Sequence, residues 1–184
     1  MRERDYVTTE TRPDRYLYTW QLDALTAWLG TGRRGVVEAV TGSGKTDMAL
    51  AAIADAHRRG LFVMVVVPTR VLIAQWHERL TTAFPDLIIG RLGDSKRDQP
   101  GQCDVLVATR HSAASQRPVP VDGQGGLLIA DECHGFGGGV LRKSLIGEYS
   151  ERMGLTATLE RSDDAIEKVI LPYFGGVCLS LIHI

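Results

Sequence analysis

Residues 39–46 read Ala-Val-Thr-Gly-Ser-Gly-Lys-Thr, and this stretch decides the fold. It overlaps a β-branched apolar run at 35–40 and opens the alanine-rich segment Lys45–Arg58, whose apolar residues have helical spacing. Gly42 and Gly44 let the backbone curl so that successive N–H groups point at phosphate oxygens, and the following helix adds its positive N-terminal end. The sequence therefore predicts a P-loop, which is a phosphate-binding loop between a strand and a helix.

The side chains of this loop suit the phosphates of ATP and their magnesium ion. Lys45 would reach the β- and γ-phosphates, and Thr46 would offer a hydroxyl to Mg²⁺, which prefers oxygen ligands. Ala39 stands where the generic pattern has glycine, although a small residue still fits there. The alternative is a glycine-rich turn that only caps a helix. The predicted nucleotide-binding residues of the loop are Thr41, Gly42, Ser43, Gly44, Lys45 and Thr46.

A second acidic element follows at 127–134, Leu-Leu-Ile-Ala-Asp-Glu-Cys-His, where an apolar strand ends in two carboxylates. Asp131 would hold Mg²⁺ directly or through water. Glu132 would orient and deprotonate a water for in-line attack on the γ-phosphate, and Lys45 is its catalytic partner. Taken alone, an Asp-Glu pair after a strand is more often a solvated turn. The P-loop favours the catalytic interpretation, whereas His134 is equally well explained as a surface histidine.

Strand-like and helix-like segments alternate along the rest of the chain. This alternation predicts an α/β fold of the P-loop type, a mostly parallel sheet with helices on both faces, in which ligands bind at the carboxyl ends of the strands. The strand-like runs lie at 35–40, 61–67, 104–109, 126–130 and 154–156, and the helical segments at Lys45–Arg58, 71–83 and 163–171.

Composition agrees with a single globular domain. The 184 residues are 44% apolar and 23% charged. The formal net charge of −1 neither supports nor excludes nucleic acid as a partner. The three cysteines form no C-x-x-C pair, which argues against a zinc site or a secreted disulfide framework. The longest apolar run, 61–67, is too short to span a bilayer. We therefore expect a cytoplasmic protein without a membrane segment.

The ends of the chain carry separate expectations. Residues 1–15 are polar and are predicted to be a lead-in, and 16–178 are predicted to form the domain. Residues 179–184, Leu-Ser-Leu-Ile-His-Ile, resemble one reading frame of the transposon end-sequence used in sequencing libraries. We interpret them as an artefact of a truncated gene, and the alternative is a genuine terminal strand.

The two motifs together resemble motifs I and II of superfamily 2 helicases, because Thr-Gly-Ser-Gly-Lys-Thr is followed by Asp-Glu-x-His. Three further elements stand in the expected order. Residues 67–76, Val-Pro-Thr-Arg-Val-Leu-Ile-Ala-Gln-Trp, resemble motif Ia, residues 107–112 resemble the Thr-x-x-Ser element, and 155–158, Leu-Thr-Ala-Thr, resemble motif III. The resemblance covers about 16–178 and implies a RecA-like first lobe.

The resemblance also assigns roles by position. Gln21 would read the adenine, since an amide offers one donor and one acceptor edge, unless it is only a polar residue on an amphipathic helix. Trp76 is expected to pack in the core with Leu72 and Leu80, in preference to stacking on bases. Nucleic-acid backbone contacts are implied for Thr69, Arg70, Thr109 and Ser112, and coupling between the two sites for His134, Thr156 and Thr158.

Within the superfamily, the chain most resembles the branch of xeroderma-pigmentosum-B-type DNA translocases and related restriction and repair motors. Leu159 departs from that branch, where proline is usual. The resemblance implies ATP-driven translocation on DNA in preference to RNA, with a second RecA-like lobe that supplies an arginine finger. The oligomeric state stays open. The alternatives are a nucleotide-gated binding module without catalysis and a P-loop small-molecule kinase.

Overall fold

The computed structural model describes residues 6–8, 16–159 and 164–181, and a central sheet of eight strands dominates this part of the chain. Seven of these strands run parallel, and only the short edge strand β6 is antiparallel to its neighbour. The strands are β3 (Arg34–Glu38), β4 (Phe62–Val67), β5 (Ile89–Gly93), β6 (Lys96–Arg97), β7 (Val105–Thr109), β8 (Gly126–Asp131), β9 (Glu151–Thr156) and β10 (Val177–Ser180), in the spatial order β10-β3-β9-β8-β4-β7-β5-β6.

Helices cover both faces of this sheet, as the alternation of segments predicted. Alternate side chains of the central strands point to opposite faces. Val63 and Val65 of β4 pack with α1 (Thr19–Gly30), α2 (Lys45–Arg58) and α3 (Arg70–Ala83). Met64 and Val66 of β4 pack on the other face with α4 (Arg110–Gln116), α5 (Leu171–Phe174) and the short 3₁₀ turn Cys133–Phe136. The three-layer α/β/α prediction is therefore confirmed.

Parallel strands bring the predicted motifs to one edge of the sheet. Val67 of β4 pairs with Thr109 of β7, Glu38 of β3 pairs with Thr156 of β9, and Asp131 of β8 pairs with Leu155. Each of these strands ends at nearly the same level. The segments that follow them, including the P-loop, therefore emerge side by side along the carboxyl edge.

The predicted strands agree with the observed ones to within a few residues, but several elements were missed. Helix α4 and the β5–β6 hairpin were not predicted, whereas α1 and the edge strand β10 lie where the sequence offered a helix and a terminal strand only as alternatives. Helix α5 and the π-helical turn Ile166–Ile170 lie near the helix predicted at 163–171, whose first residue falls outside the described part of the chain.

At the N-terminus, β1 (Tyr6–Thr8) pairs with β2 (Tyr16–Tyr18) as a small antiparallel ribbon, although its first strand lies in the predicted polar lead-in. At the other end, β10 includes Leu179 and Ser180, which pair with β3. This pairing does not test our interpretation of residues 179–184. Among the described residues, no helix is long and apolar enough to cross a membrane.

Candidate nucleotide and nucleic-acid site

The loop between β3 and α2 has the backbone of a phosphate cradle. Gly42 and Gly44 both adopt left-handed conformations, with φ of 80° and 93°, which glycine reaches without a steric penalty. Helix α2 begins at Lys45 and runs for 14 residues, so its N-terminus opens onto the loop. The buried Oγ of Ser43 has no hydrogen-bond partner among the described residues. A buried hydroxyl without a partner, beside curled backbone amides, fits a site for phosphate oxygens.

Lys45 lies where the cradle meets the two acidic residues. Its side chain is 9% exposed, and Nζ donates to the carbonyl oxygens of Ala39 and Val40, the latter at 3.2 Å. Burial lowers the pKa of Lys45, and attraction to the carboxylates of Glu132 and Asp131 opposes that shift. The charge of Lys45 therefore interacts with the two carboxylates that the sequence proposed as its partners.

Asp131 ends β8 and is held by a residue that the sequence did not connect to it. Burial raises the pKa of Asp131, and a hydrogen bond from Trp76 opposes this effect. The indole Nε1–H of Trp76 donates to Oδ2 of Asp131 at 2.8 Å. Trp76 is 3% exposed, which confirms the predicted core packing. The hydrogen bond itself was not predicted, because it joins residues that are 55 positions apart.

Glu132 follows in a conformation that few residues of its type adopt. Its φ and ψ are both 51°, in the left-handed region, and this places it between the strand end and the 3₁₀ turn that begins at Cys133. Non-glycine residues held there cost on the order of 1–3 kcal/mol and cluster at functional sites. The fold therefore maintains a strained backbone at the residue predicted to activate water.

A chain of polar contacts leads from Glu132 toward the third predicted motif. Nδ1 of His134 lies 3.5 Å from Oε2 of Glu132 and 2.9 Å from Oγ1 of Thr156. The hydroxyl of Thr156 donates to the carbonyl oxygen of Thr158 at 2.7 Å and accepts from the Thr158 N–H at 3.2 Å. The structure thus brings the three predicted coupling residues into contact, and their coupling role stays a prediction.

Gln21 is fully buried and hydrogen-bonds to the backbone of the P-loop. Its Nε2 donates to the carbonyl oxygen of Gly44 at 2.8 Å, and its Oε1 accepts from the backbone N–H of Tyr18 at 2.7 Å. The amide keeps a second N–H and a second lone pair. Its predicted adenine contact stays a prediction, and its contact with the loop is a role that the sequence did not indicate.

The four residues predicted to contact nucleic acid line one groove. The Oγ1 atoms of Thr69 and Thr109 cap helices α3 and α4 by accepting from the N–H groups of Leu72 and Ser112, at 3.3 and 3.2 Å. The groove has a volume of about 470 Å³ and is also bordered by the β5–β6 hairpin. Its further lining residues, which the sequence analysis missed, include Asp94, Ser95, Lys96, Arg97 and His111.

A second cavity, of about 560 Å³, joins the two predicted magnesium ligands. Thr46 and Asp131 both line it, together with Trp76 and five other residues of α3. Within the described ranges, no group of three or more His, Cys, Asp or Glu side chains could hold a metal ion. The hydroxyl of Thr46 and the carboxylate of Asp131 on one cavity wall suit Mg²⁺, which proteins commonly bind through one or two carboxylates and substrate phosphates.

Glu38, which the sequence analysis did not single out, connects the P-loop strand to the third motif. One of its carboxylate oxygens accepts from the backbone N–H of Leu159 at 2.7 Å, and the other accepts from the hydroxyl of Ser180 at 2.8 Å. Proline at position 159 would have no N–H for this contact. The departure from the usual proline is therefore matched by a hydrogen bond that only a non-proline residue can make.

Comparison with known proteins agrees with this geometry. The family ResIII, described as "Type III restriction enzyme, res subunit", matches residues 15–161, which include the P-loop, the acidic pair and motif III. The chain belongs to the ResIII family. This match confirms the resemblance to superfamily 2 and to its restriction-type branch.

Curated relatives of the ResIII chain fall in the branch that the motifs indicated. It is 37% identical over 135 residues to "Putative DNA 3'-5' helicase Rad25" of Halobacterium salinarum, covering 71% of this chain and 21% of that protein. It is 32% identical over 150 residues to "DNA 3'-5' translocase XPB2" of Sulfurisphaera tokodaii, covering 80% of this chain and 32% of the relative. The chain thus spans about a fifth to a third of the length of these relatives.

Among solved structures, the ResIII chain resembles "Sulfolobus solfataricus SWI2/SNF2 ATPase core in complex with dsDNA", with a TM-score of 0.70 and 18% sequence identity. The similarity covers 85% of this chain and 35% of that one. At this level of identity the likeness establishes the fold, and it confirms the RecA-like architecture.

Proposed function

We propose that this chain is the first RecA-like lobe of an ATP-dependent DNA translocase. The observation that carries the proposal is the shared edge of the sheet. There, the charge of Lys45 interacts with the carboxylates of Asp131 and Glu132, and His134 lies close to both Glu132 and Thr156. A groove lined by hydroxyls and cations opens along the same edge. A motor needs both a hydrolytic centre and a strand-binding surface on one rigid sheet.

The nucleotide side supplies phosphate binding and proton transfer. We assign the phosphates to the loop amides and to Ser43 and Lys45, and Mg²⁺ to the hydroxyl of Thr46 and the carboxylate of Asp131. Bound Mg²⁺ supplies charge neutralisation of the phosphate oxygens. Glu132 accepts the proton of the attacking water, and Nδ1 of His134 lies 3.5 Å from one oxygen of that carboxylate.

The groove side suits a nucleic-acid backbone better than bases. Its lining is rich in hydroxyl groups and includes the cations Arg70, Lys96 and Arg97, and among the described residues it contains no Phe, Tyr or Trp ring. Such contacts hold phosphates and sugars at any sequence, as stepping along a strand requires. We favour DNA over RNA because the relatives are named as DNA helicases and translocases. A second lobe with an arginine finger, and a cytoplasmic location, are part of the same proposal.

Nucleotide binding by this chain is the first test. We expect a fluorescent ATP analogue to bind in the presence of Mg²⁺, and Lys45→Ala to abolish binding because the loop loses its phosphate cation. Lys143→Ala is the control, since Lys143 is an exposed lysine in the 3₁₀ turn Leu141–Ser144, outside both cavities. Equal affinity of Lys45→Ala and the parent would refute the assignment of the loop.

Turnover separates the lobe from the complete motor. We expect this chain to show negligible DNA-stimulated hydrolysis, since an arginine finger contributes about 10³–10⁵ in rate. In a longer protein that spans the length of the relatives, Glu132→Gln should bind ATP but hydrolyse it far more slowly than the parent. Robust DNA-stimulated hydrolysis by this chain alone would contradict the need for a second lobe. Parental turnover by Glu132→Gln would contradict its role.

A further inference from the structure

The contact between Trp76 and Asp131 carries an inference beyond the nucleotide site itself. We propose that Trp76 is a positioning residue, whose indole N–H fixes the carboxylate of Asp131 in the orientation that binds Mg²⁺. This inference rests on the proposed function, because it assigns the device that prepares one of the two magnesium ligands. It makes Trp76 more than a core residue of α3.

Three features of the structure converge on this pair. The Nε1–Oδ2 distance is 2.8 Å, a normal length for a hydrogen bond to a carboxylate. Trp76 is 3% exposed, so the packed core holds its indole in place. Trp76 and Asp131 also line the same 560 Å³ cavity as Thr46, the other proposed magnesium ligand. The hydrogen bond is therefore made at the wall of the metal site.

The chemistry of the two side chains gives the contact its direction. An indole has one N–H and no acceptor, so it can only donate, and it cannot itself bind a cation through that nitrogen. The carboxylate has two oxygens, and a donor held rigidly by the core selects the one it bonds. Because Oδ2 is bonded to the indole, Oδ1 is the oxygen left without that bond. Partners that orient metal ligands in this way typically affect metal affinity by about 10–100-fold.

The test must distinguish the positioning of Asp131 by Trp76 from a purely structural role of Trp76. Another buried tryptophan of the chain serves as a matched control. Trp28 is also fully buried, and its Nε1–H donates to the backbone carbonyl oxygen of Arg152 at 2.9 Å. Trp28→Phe and Trp76→Phe each remove one indole hydrogen bond and a similar buried volume. Only Trp76→Phe releases a carboxylate at the metal site. Stability should fall in both variants, whereas the magnesium requirement should change in one.

The experiment titrates MgCl₂ into this chain with a fluorescent ATP analogue and follows its anisotropy. We expect Trp76→Phe to raise the Mg²⁺ concentration at half-saturation by about tenfold or more. Trp28→Phe should remain within about twofold of the parent, since its hydrogen bond has no part in the metal site. At saturating Mg²⁺, both variants should approach the nucleotide capacity of the parent. An unchanged magnesium requirement in Trp76→Phe would overturn the proposal.

A measurement that keeps a tryptophan at position 76 covers the case in which Trp76→Phe does not fold. The chain has three tryptophans, so 5-fluorotryptophan labelling gives three fluorine resonances, which Trp20→Phe and Trp28→Phe assign. When Mg²⁺ is added to the nucleotide-bound protein, the Trp76 resonance should shift and the Trp28 resonance should not. Mn²⁺ in place of Mg²⁺ should broaden Trp76 selectively. A Trp76 resonance that neither shifts with Mg²⁺ nor broadens with Mn²⁺ would refute the inference.

A failure of the proposed function and a failure of the positioning role of Trp76 give different results. If the parent chain shows no Mg²⁺-dependent nucleotide binding, the proposed function is wrong and the positioning role falls with it. If the parent binds with a clear magnesium requirement that Trp76→Phe leaves unaltered, the nucleotide site stands and only the role of Trp76 is rejected.

Discussion

Replacing Gly44 by alanine should weaken the fold more than the same change two residues earlier. Gly44 has φ of 93°, and a Cβ built there would lie 2.5 Å from Nε2 of Gln21. The left-handed conformation costs an alanine about 1–2 kcal/mol. The displaced amide also loses its hydrogen bond to the Gly44 carbonyl and weakens the one to Tyr18, at about 0.5–1.5 kcal/mol for each bond lost. We therefore expect a total cost of about 2–4 kcal/mol.

Two other glycines serve as controls. Gly42 has φ of 80° but no atom within 4 Å of a built Cβ, so Gly42→Ala should cost only the conformational part, about 1–2 kcal/mol. Gly30 has neither a left-handed φ nor a close neighbour, and Gly30→Ala at the end of α1 should be neutral or stabilising by up to about 1 kcal/mol.

Urea unfolding of the variants, followed by tryptophan fluorescence, measures these differences. In a Gln21→Ala background, the extra cost of Gly44→Ala over Gly42→Ala should largely disappear, because the clashing amide is gone. If Gly44→Ala and Gly42→Ala destabilise the parent equally, the Gln21 amide does not brace the loop as we argue.

Two further predictions concern charge. Burial raises the pKa of Asp131 above its ordinary value of 3.8, so the associated stabilisation is complete below that pH and is lost as pH rises through the folded-state pKa. Asp131→Asn should therefore be more stable than the parent at pH 7, with a difference that shrinks as pH falls toward 4, as urea unfolding across pH would show. Separately, Arg59 makes two hydrogen bonds to Glu151, at 2.6 and 2.8 Å, and because Arg59 is a third exposed, Arg59→Ala should cost about 1–2 kcal/mol.

Each charge prediction has its own check. Arg58 pairs with Asp55 in an exposed contact, so Arg58→Ala should change the free energy of unfolding by at most about 0.5 kcal/mol. An equal loss in the two arginine variants would contradict the importance of the Glu151 contact. For Asp131→Asn, a stability difference that stays constant between pH 4 and pH 7 would show that the carboxylate does not titrate as its burial requires.

Much of the architecture could be read from local patterns. Strands β4, β7 and β8 are continuous apolar runs that are buried on both faces, and such runs are recognisable without knowing their neighbours. The β5–β6 hairpin was missed for the opposite reason. Its sequence, Ile-Gly-Arg-Leu-Gly followed by Asp-Ser-Lys-Arg, mixes glycine and charge, and only its place at the sheet edge makes it a strand pair. Helix α4 has seven residues and too few apolar positions to show a period.

The sequence by itself determined the P-loop and acidic-pair motifs and indicated the chemistry proposed for them, because backbone curvature and metal-ligand type are properties of residues a few positions apart. Lys45, Thr46, Asp131 and Glu132 could all be named from their local setting. Only the tertiary structure decided which distant side chains serve them. Gln21 reaches Gly44 across 23 positions, and Trp76 reaches Asp131 across 55, because crossover connections bring separate strand ends to one edge. Hydrogen bonds of that kind depend on a packed core that fixes both partners, and no local pattern records them.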